Sequence, residues 1–181
     1  MAIWQYRLIL IPERMLLSKY EVLPPSIPME LAVDTDWWSE IQPSSGFERW
    51  IDAILPQMES WSTSMRMWGQ KHGDDAWVCY VDERKDVVEE IAFRIDARAI
   101  SPELVRRICA LGSDLGCVLM TPEDEILAPD ESMVMNAVRS STAKRFVDEP
   151  EATLRNLDHK KIQERADYTM RKLKDDPRSK E

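Results

Sequence analysis

The stretch that decides the fold is Ala76-Trp-Val-Cys-Tyr-Val-Asp-Glu-Arg-Lys-Asp-Val-Val-Glu-Glu-Ile-Ala-Phe-Arg-Ile-Asp-Ala-Arg98. Two runs rich in β-branched and aromatic residues flank the polar stretch Asp82–Asp86, the pattern of a β-hairpin with a medium-length loop. Placing Val81 opposite Val87 puts Trp77, Cys79 and Val81 on one face with Val87, Ile91, Phe93 and Ile95. Glu89 is the single misfit on that face. The other face of the second run carries Val88, Glu90, Ala92, Arg94, Asp96 and Arg98. An apolar face backed by a charged one predicts an antiparallel sheet with one side packed and one side wet.

Upstream, Ile3–Ile11 alternates: Trp4, Tyr6, Leu8 and Leu10 against Gln5, Arg7, Ile9 and Ile11. This predicts a strand that Pro12 ends, because proline cannot donate to a ladder. Tyr20–Ser45 is broken by Pro24, Pro25, Pro28 and Pro43, and long irregular segments of this kind are either functional or pinned to the surface. Within it, Trp37 and Trp38 are read either as a plug at the edge of the core or as an exposed binding patch ringed by acids. Ser45-Gly-Phe-Glu48 has capping-box spacing and precedes an amphipathic helix through Trp50, Ile51 and Ile54. A short strand is expected at about Ser64–Trp68, with Gly69–Asp75 as the turn into the hairpin.

Downstream, Ser101-Pro102-Glu103 combines a hydroxyl cap, a proline in the first turn and an early acid, a strong helix start. Cys117–Met120 and Glu125–Ala128 read as short strands. Asp130 caps a helix expected to run on towards Phe146, and Ala152–Lys174 is a further, charged helix with a thin apolar stripe. The order predicts an α+β fold: an antiparallel sheet of about four to six strands with helices on one face, a two-layer sandwich with partly ferredoxin-like order. Residues 1–150 form its single domain, and residues 151–181 a C-terminal helix and frayed tail.

The chain of 181 residues carries a net charge of −9. Residues 158–181 hold 8 Lys/Arg and 6 Asp/Glu, leaving 16 basic against 27 acidic residues in the body, a net −11. So acidic a body argues against a nucleic-acid partner and favours solubility or a basic protein partner. No apolar run is long enough to cross a bilayer, and the N-terminal residues lack a signal-peptide pattern. With three cysteines in apolar surroundings, the expected location is the cytoplasm, with no membrane partner.

Catalytic chemistry finds little support. His72 and His159 have no Cys or His at metal-ligand spacing, and there is no glycine-rich phosphate loop or nucleophile elbow. No catalytic residue, metal or cofactor is therefore assigned. Asp74 and Asp75 read as turn formers. The best-defined polar group is Glu90, Arg94, Asp96 and Arg98 with Arg7 alongside, in which Arg94–Asp96–Arg98 is expected to form an ion-pair ladder. Its plainest reading is a solvated sheet face; its functional readings are protein binding, an anion clamp or an acid–base pair.

Ile3-Trp-Gln-Tyr to Pro12, Trp37-Trp38, Ser60-Trp-Ser62, Trp68-Gly69, Glu90-Ile-Ala-Phe-Arg-Ile-Asp-Ala-Arg98 and Ser141-Thr-Ala-Lys-Arg-Phe146 together resemble a group of small uncharacterised bacterial proteins. Proteins of this build are similar in kind to toxin-neutralising immunity proteins, an analogy of class that transfers no activity. The expectation is a non-enzymatic protein-binding protein, with an immunity protein occluding a toxin as its leading form. Its binding residues would be Arg7, Trp37, Trp38, Glu90, Arg94, Asp96 and Arg98. The alternatives are a small enzyme using a carboxylate and an arginine, and a homodimer joined through the last helix.

Overall fold

A computed structural model describes residues 3–70 and 72–156. β1 (Gln5–Pro12) runs directly into α1 (Glu13–Tyr20), and α2 (Met29–Asp34) lies within the proline-rich segment. Then come α3 (Glu48–Asp52), β2 (Gln57–Met58), β3 (Met65–Gly69), β4 (Asp75–Tyr80) and β5 (Val88–Asp96). The chain continues through α4 (Pro102–Asp114), β6 (Cys117–Met120), β7 (Ile126–Leu127), α5 (Glu131–Ser140), α6 (Thr142–Asp148) and α7 (Pro150–Asn156).

The fold is α+β, around one antiparallel sheet in the order β2-β3-β4-β5-β1-β6-β7. Seven strands exceed the four to six expected, because β2 and β7 have two residues each, too few to show a periodicity. The central order β4-β5-β1-β6, with α3 and α4 between its strands, is the ferredoxin-like arrangement.

The register explains the two faces. Tyr6, Leu8 and Leu10 lie opposite Ile95, Phe93 and Ile91, and all six are buried. This is the helical face. Trp68 on β3 donates from Nε1 to Asp52 at 2.7 Å, and Tyr80 donates its hydroxyl hydrogen to Glu48 at 2.9 Å, which seats α3 there. α4 packs beside it, close enough that a Cβ on Gly112 would meet a Leu119 methyl at 3.7 Å. Ser101 caps α4 through Leu104 N–H, and Asp130 caps α5 through Met133 N–H, as the sequence predicts. Two local expectations fail. Glu48 spends its carboxylate on Tyr80 and Arg66 rather than reaching back to Ser45, and α3 starts without a side-chain cap. The helix expected from Asp130 to Phe146 breaks at Ser141, whose side chain accepts from Lys144 N–H and so starts α6.

The hairpin holds the largest departure. Near its loop the pairing is as expected: Val81 N–H donates to Val87 O at 3.0 Å, and Tyr80 opposes Val88. The register then shifts by one, so that Cys79 opposes Glu90 and Trp77 opposes Ala92. Glu89, the misfit, is the extra residue of a β-bulge. Relative to the expectation, β4 is turned over along its whole length, and so is β5 on the loop side of the bulge, where Val81 and Val87 are exposed and Val88 is buried. Ala76, Val78 and Tyr80 turn into the core with Phe93, Ile91 and Val88, while Trp77 and Cys79 join the charged face.

The proline-rich segment is pinned rather than loose. Ile27 N–H donates to Asp124 O at 2.8 Å and Ile126 N–H to Pro25 O at 2.9 Å, covering the β7 edge. Farther on, the Gln42 amide brackets Val88, accepting from its N–H at 2.7 Å and donating to its carbonyl at 3.1 Å. Of the C-terminal segment, only α7 begins within the described residues, and the helix expected to Lys174 otherwise lies outside them.

Candidate functional site

Two neighbourhoods share the charged face. The first is built on Trp77. Arg7, Glu90, Ala92 and Arg94 project beside it from β1 and β5, as the registers Arg7↔Arg94 and Trp77↔Ala92 require. The guanidinium carbons of Arg7 and Arg94 lie 5.1 and 4.9 Å from the Trp77 ring centroid, within cation–π range. Ala92, fully buried between Trp77 and Ile9, is small enough to leave Arg7 a route across β5. Glu90 accepts from Arg7 at 2.6 Å with one oxygen and from Trp77 Nε1 at 2.6 Å with the other. Two arginines opposite one another on adjacent strands would repel. A carboxylate on each and a shared aromatic ring offset that repulsion.

Arg94 takes its partner from β4. Asp75, buried, receives Nε and Nη2 of Arg94 at 2.6 and 2.5 Å, a bidentate pair. The expected Arg94–Asp96 rung is therefore absent, since the register sets Asp75 opposite Arg94. Asp96 instead pairs with Arg98 at 2.7 Å. Arg98 also donates to the His72 carbonyl at 2.6 Å and lies 4.9 Å from the Trp4 ring centroid. Asp74 accepts from Asp96 N–H at 2.7 Å. Gly69 makes this approach feasible: a Cβ there would lie 2.3 Å from the Asp74 carbonyl oxygen, and its φ of +112° suits glycine alone.

These contacts shift two acids in opposite directions. The Arg98 guanidinium holds the Asp96 carboxyl below the usual carboxylate range, against a weaker opposing effect of burial. Burial pushes Asp74 up, aided by the charges of Asp96 and Asp75, while the Asp96 N–H works the other way.

The second neighbourhood is a cleft of about 430 Å³ towards the loop end of the hairpin. Ile9, Ile11, Ala32, Trp37 and Trp38 form buried parts of its wall, and Asp34, Asp36, Val81, Glu89 and Glu90 stand at its rim. Trp37 and Trp38 are only 5% and 1% exposed, so they plug the core rather than form an exposed patch, and both reach the cleft. Trp37 Nε1 donates to the Ala32 carbonyl at 2.7 Å, whereas Trp38 Nε1 is buried with no acceptor among the described residues. Lys19 Nζ lies 5.2 Å from the Trp37 ring centroid and donates at 3.1 Å to Thr35, which also lines the cleft.

Of the seven residues singled out from sequence, Arg7, Glu90 and Arg94 meet around Trp77, Asp96 and Arg98 pair beside them, and Trp37 and Trp38 belong to the cleft. Asp74, Asp75 and Trp77 were hidden by the bulge: a uniform register sends Trp77 into the core and leaves the aspartates as turn residues. The one available signal was Glu89, an acid on an otherwise apolar face.

No protein-family model matches the chain, and neither a curated protein nor a solved structure does.

Proposed function

We propose that the protein is a non-enzymatic binding protein of the cytoplasm that docks a basic protein partner at the acidic, loop end of its sheet. The observation that carries this is the set of exposed apolar residues in the neighbouring loops there. Trp61 is 78% exposed, and Val81 and Val87 are 49% and 41% exposed. Tyr80 N–H to Ser64 O at 2.9 Å and Thr63 to Glu83 at 2.7 Å tie the loop bearing Trp61 to the hairpin end. Glu59, Asp82, Glu83, Asp86 and Glu89 lie in or beside these loops, against Arg84 and Lys85. Arg84 is engaged with Asp82 at 2.6 Å, and Lys85 donates to the Met65 carbonyl at 3.3 Å.

Exposed tryptophan is an interface anchor, and surrounding carboxylates steer a cationic partner and reject anionic ones. An immunity protein that occludes a basic toxin is the leading form of this reading. Nucleic acid and membrane surfaces, both anionic, are disfavoured by the same charge.

The test pairs the purified chain with the products of neighbouring genes, in vitro and in cells expressing a neighbouring toxin. Capture that weakens in Trp61→Ala, or protection lost in that variant, supports the reading. Absence of both capture and protection would sink it.

A further inference from the structure

β1 and β5 part company at the bulge. Their pairing ends at Leu10↔Ile91, after which β1 goes on beside β6 to Pro12 while β5 extends towards the hairpin loop as far as Val88. In an antiparallel ladder the backbone groups of successive residues point alternately to one neighbour and to the other. Val81 N–H bonds to Val87 O across the hairpin, so the N–H and carbonyl of Val88 turn away from β4, to the side that β1 has left. Gln42 takes both, accepting at 2.7 Å and donating at 3.1 Å, and its amide also donates to the Trp38 carbonyl. A carboxamide carries the donor and the acceptor of a peptide unit, so this one side chain stands where a strand residue would.

From this bridge we infer that the hairpin end, residues 81–88, is a lid on the cleft, hinged at the Glu89 bulge and latched by Gln42. Val81 lines the cleft from the lid and Glu89 from the hinge, while Trp37 and Trp38 line it from the segment that the latch holds. A bulge leaves its extra residue unpaired and bends the strand, which makes it a pivot. Two further ties of the lid, Thr63 to Glu83 and Lys85 to the Met65 carbonyl, reach the β3 side and leave the Gln42 side free to part. Of residues 81–88 only Val88 is buried, so opening uncovers little apolar surface. Gln42 itself is exposed, in a stretch without helix or strand. Regions so lightly buried open at low cost. The lid also carries Val81 and Val87 of the docking surface, but the latch does not depend on that partner.

The experiment compares the parent with Gln42→Ala and with Gln42→Met, which keeps the length of the side chain without its polar groups. Amide exchange at Val88 reports the loss of the bond itself. Iodoacetamide labelling with peptide mapping reports the lid through Cys79 in the cleft wall, with the buried Cys109 and Cys117 as controls in the same digest. In both variants Cys79 is expected to label about fivefold faster, the shift that one net hydrogen bond makes in an opening equilibrium, while the two controls keep their parental rates. Faster exchange at Val88 with Cys79 at its parental rate would overturn the lid and leave Gln42 a cap on one strand edge. Equal acceleration at all three cysteines would overturn it as a loosening of the whole fold.

Discussion

The two halves of the charged face differ in how their charges are settled. Around Trp77 and Trp4, each carboxylate is matched within the chain: Glu90 with Arg7, Asp75 with Arg94, Asp96 with Arg98, and Asp74 with a backbone N–H. At the cleft, Asp36 and Glu89 stand exposed at the rim beside exposed Val81, with Lys19 on the neighbouring Trp37 and Thr35. The difference separates charge paired across the sheet from acid set at an exposed rim. The half that looks busiest in sequence, Glu90 to Arg98, is the half whose carboxylates are all matched within the chain.

The comparison breaks most sharply at Asp75. Asp75→Ala strands a half-buried guanidinium, and breaking such a pair costs about 3 kcal/mol. Asp36→Asn, at an exposed rim position, is expected to stay within about 0.5 kcal/mol of the parent. Urea titrations of the two variants measure the contrast directly, and equal losses would contradict it.

Trp77→Phe keeps an aromatic ring under the arginines and removes the bond to Glu90. Its expected loss is about 1 kcal/mol. Trp61→Ala, in the other half, is expected to leave the denaturation midpoint unchanged and to act on binding alone.

Acid sharpens the contrast within the first half. The carboxyl of Asp96 is held low in the folded chain, so its contribution is present above the ordinary aspartate value, about 3.9, and is lost as pH falls through the depressed one. Asp74, held high, acts with the opposite sign: its ionisation as pH rises weakens the fold. Denaturation midpoints measured from pH 3 to 7 are therefore expected to fall less steeply with acid in Asp96→Asn. In Asp74→Asn, which keeps the oxygen accepting from Asp96 N–H, the neutral-pH midpoint is expected to rise.

The smallest effect concerns the thiols. Burial pushes Cys117 up to about 12, and Cys109 up to about 11 with help from Asp130 and Glu131. Cys79 is half-buried on the cleft. Iodoacetamide at pH 8 is expected to label Cys79 first and the other two only on unfolding, which peptide mapping resolves.

Much of the fold was legible because burial imposes a period that local sequence cannot hide. The alternation of Tyr6, Leu8 and Leu10, the capped start at Ser101 and the apolar run Cys117–Met120 each announce their element. The candidate site was legible as a residue group but not as a geometry. Arg94 faces Asp75 rather than Asp96 because of a cross-strand pairing 19 positions away, which no local spacing encodes. The cleft was less visible still, since its walls come from β1, the hairpin and the segment around Trp37, and only the tertiary fold brings them together.

The bulge at Glu89 also governs how the hairpin tolerates changes in length. Tyr80 opposes Val88 and Cys79 opposes Glu90, so Glu89 has no cross-strand counterpart of its own. Excising it leaves each of those pairs, and the facing of every neighbour, as they were; the strand merely straightens and loses local twist. Excising or duplicating a residue between Ile91 and Ile95 inverts one part of the strand against the other and trades core for surface. Within β5, then, Glu89 is the position at which evolution or an engineer can shorten the chain without rewriting either face.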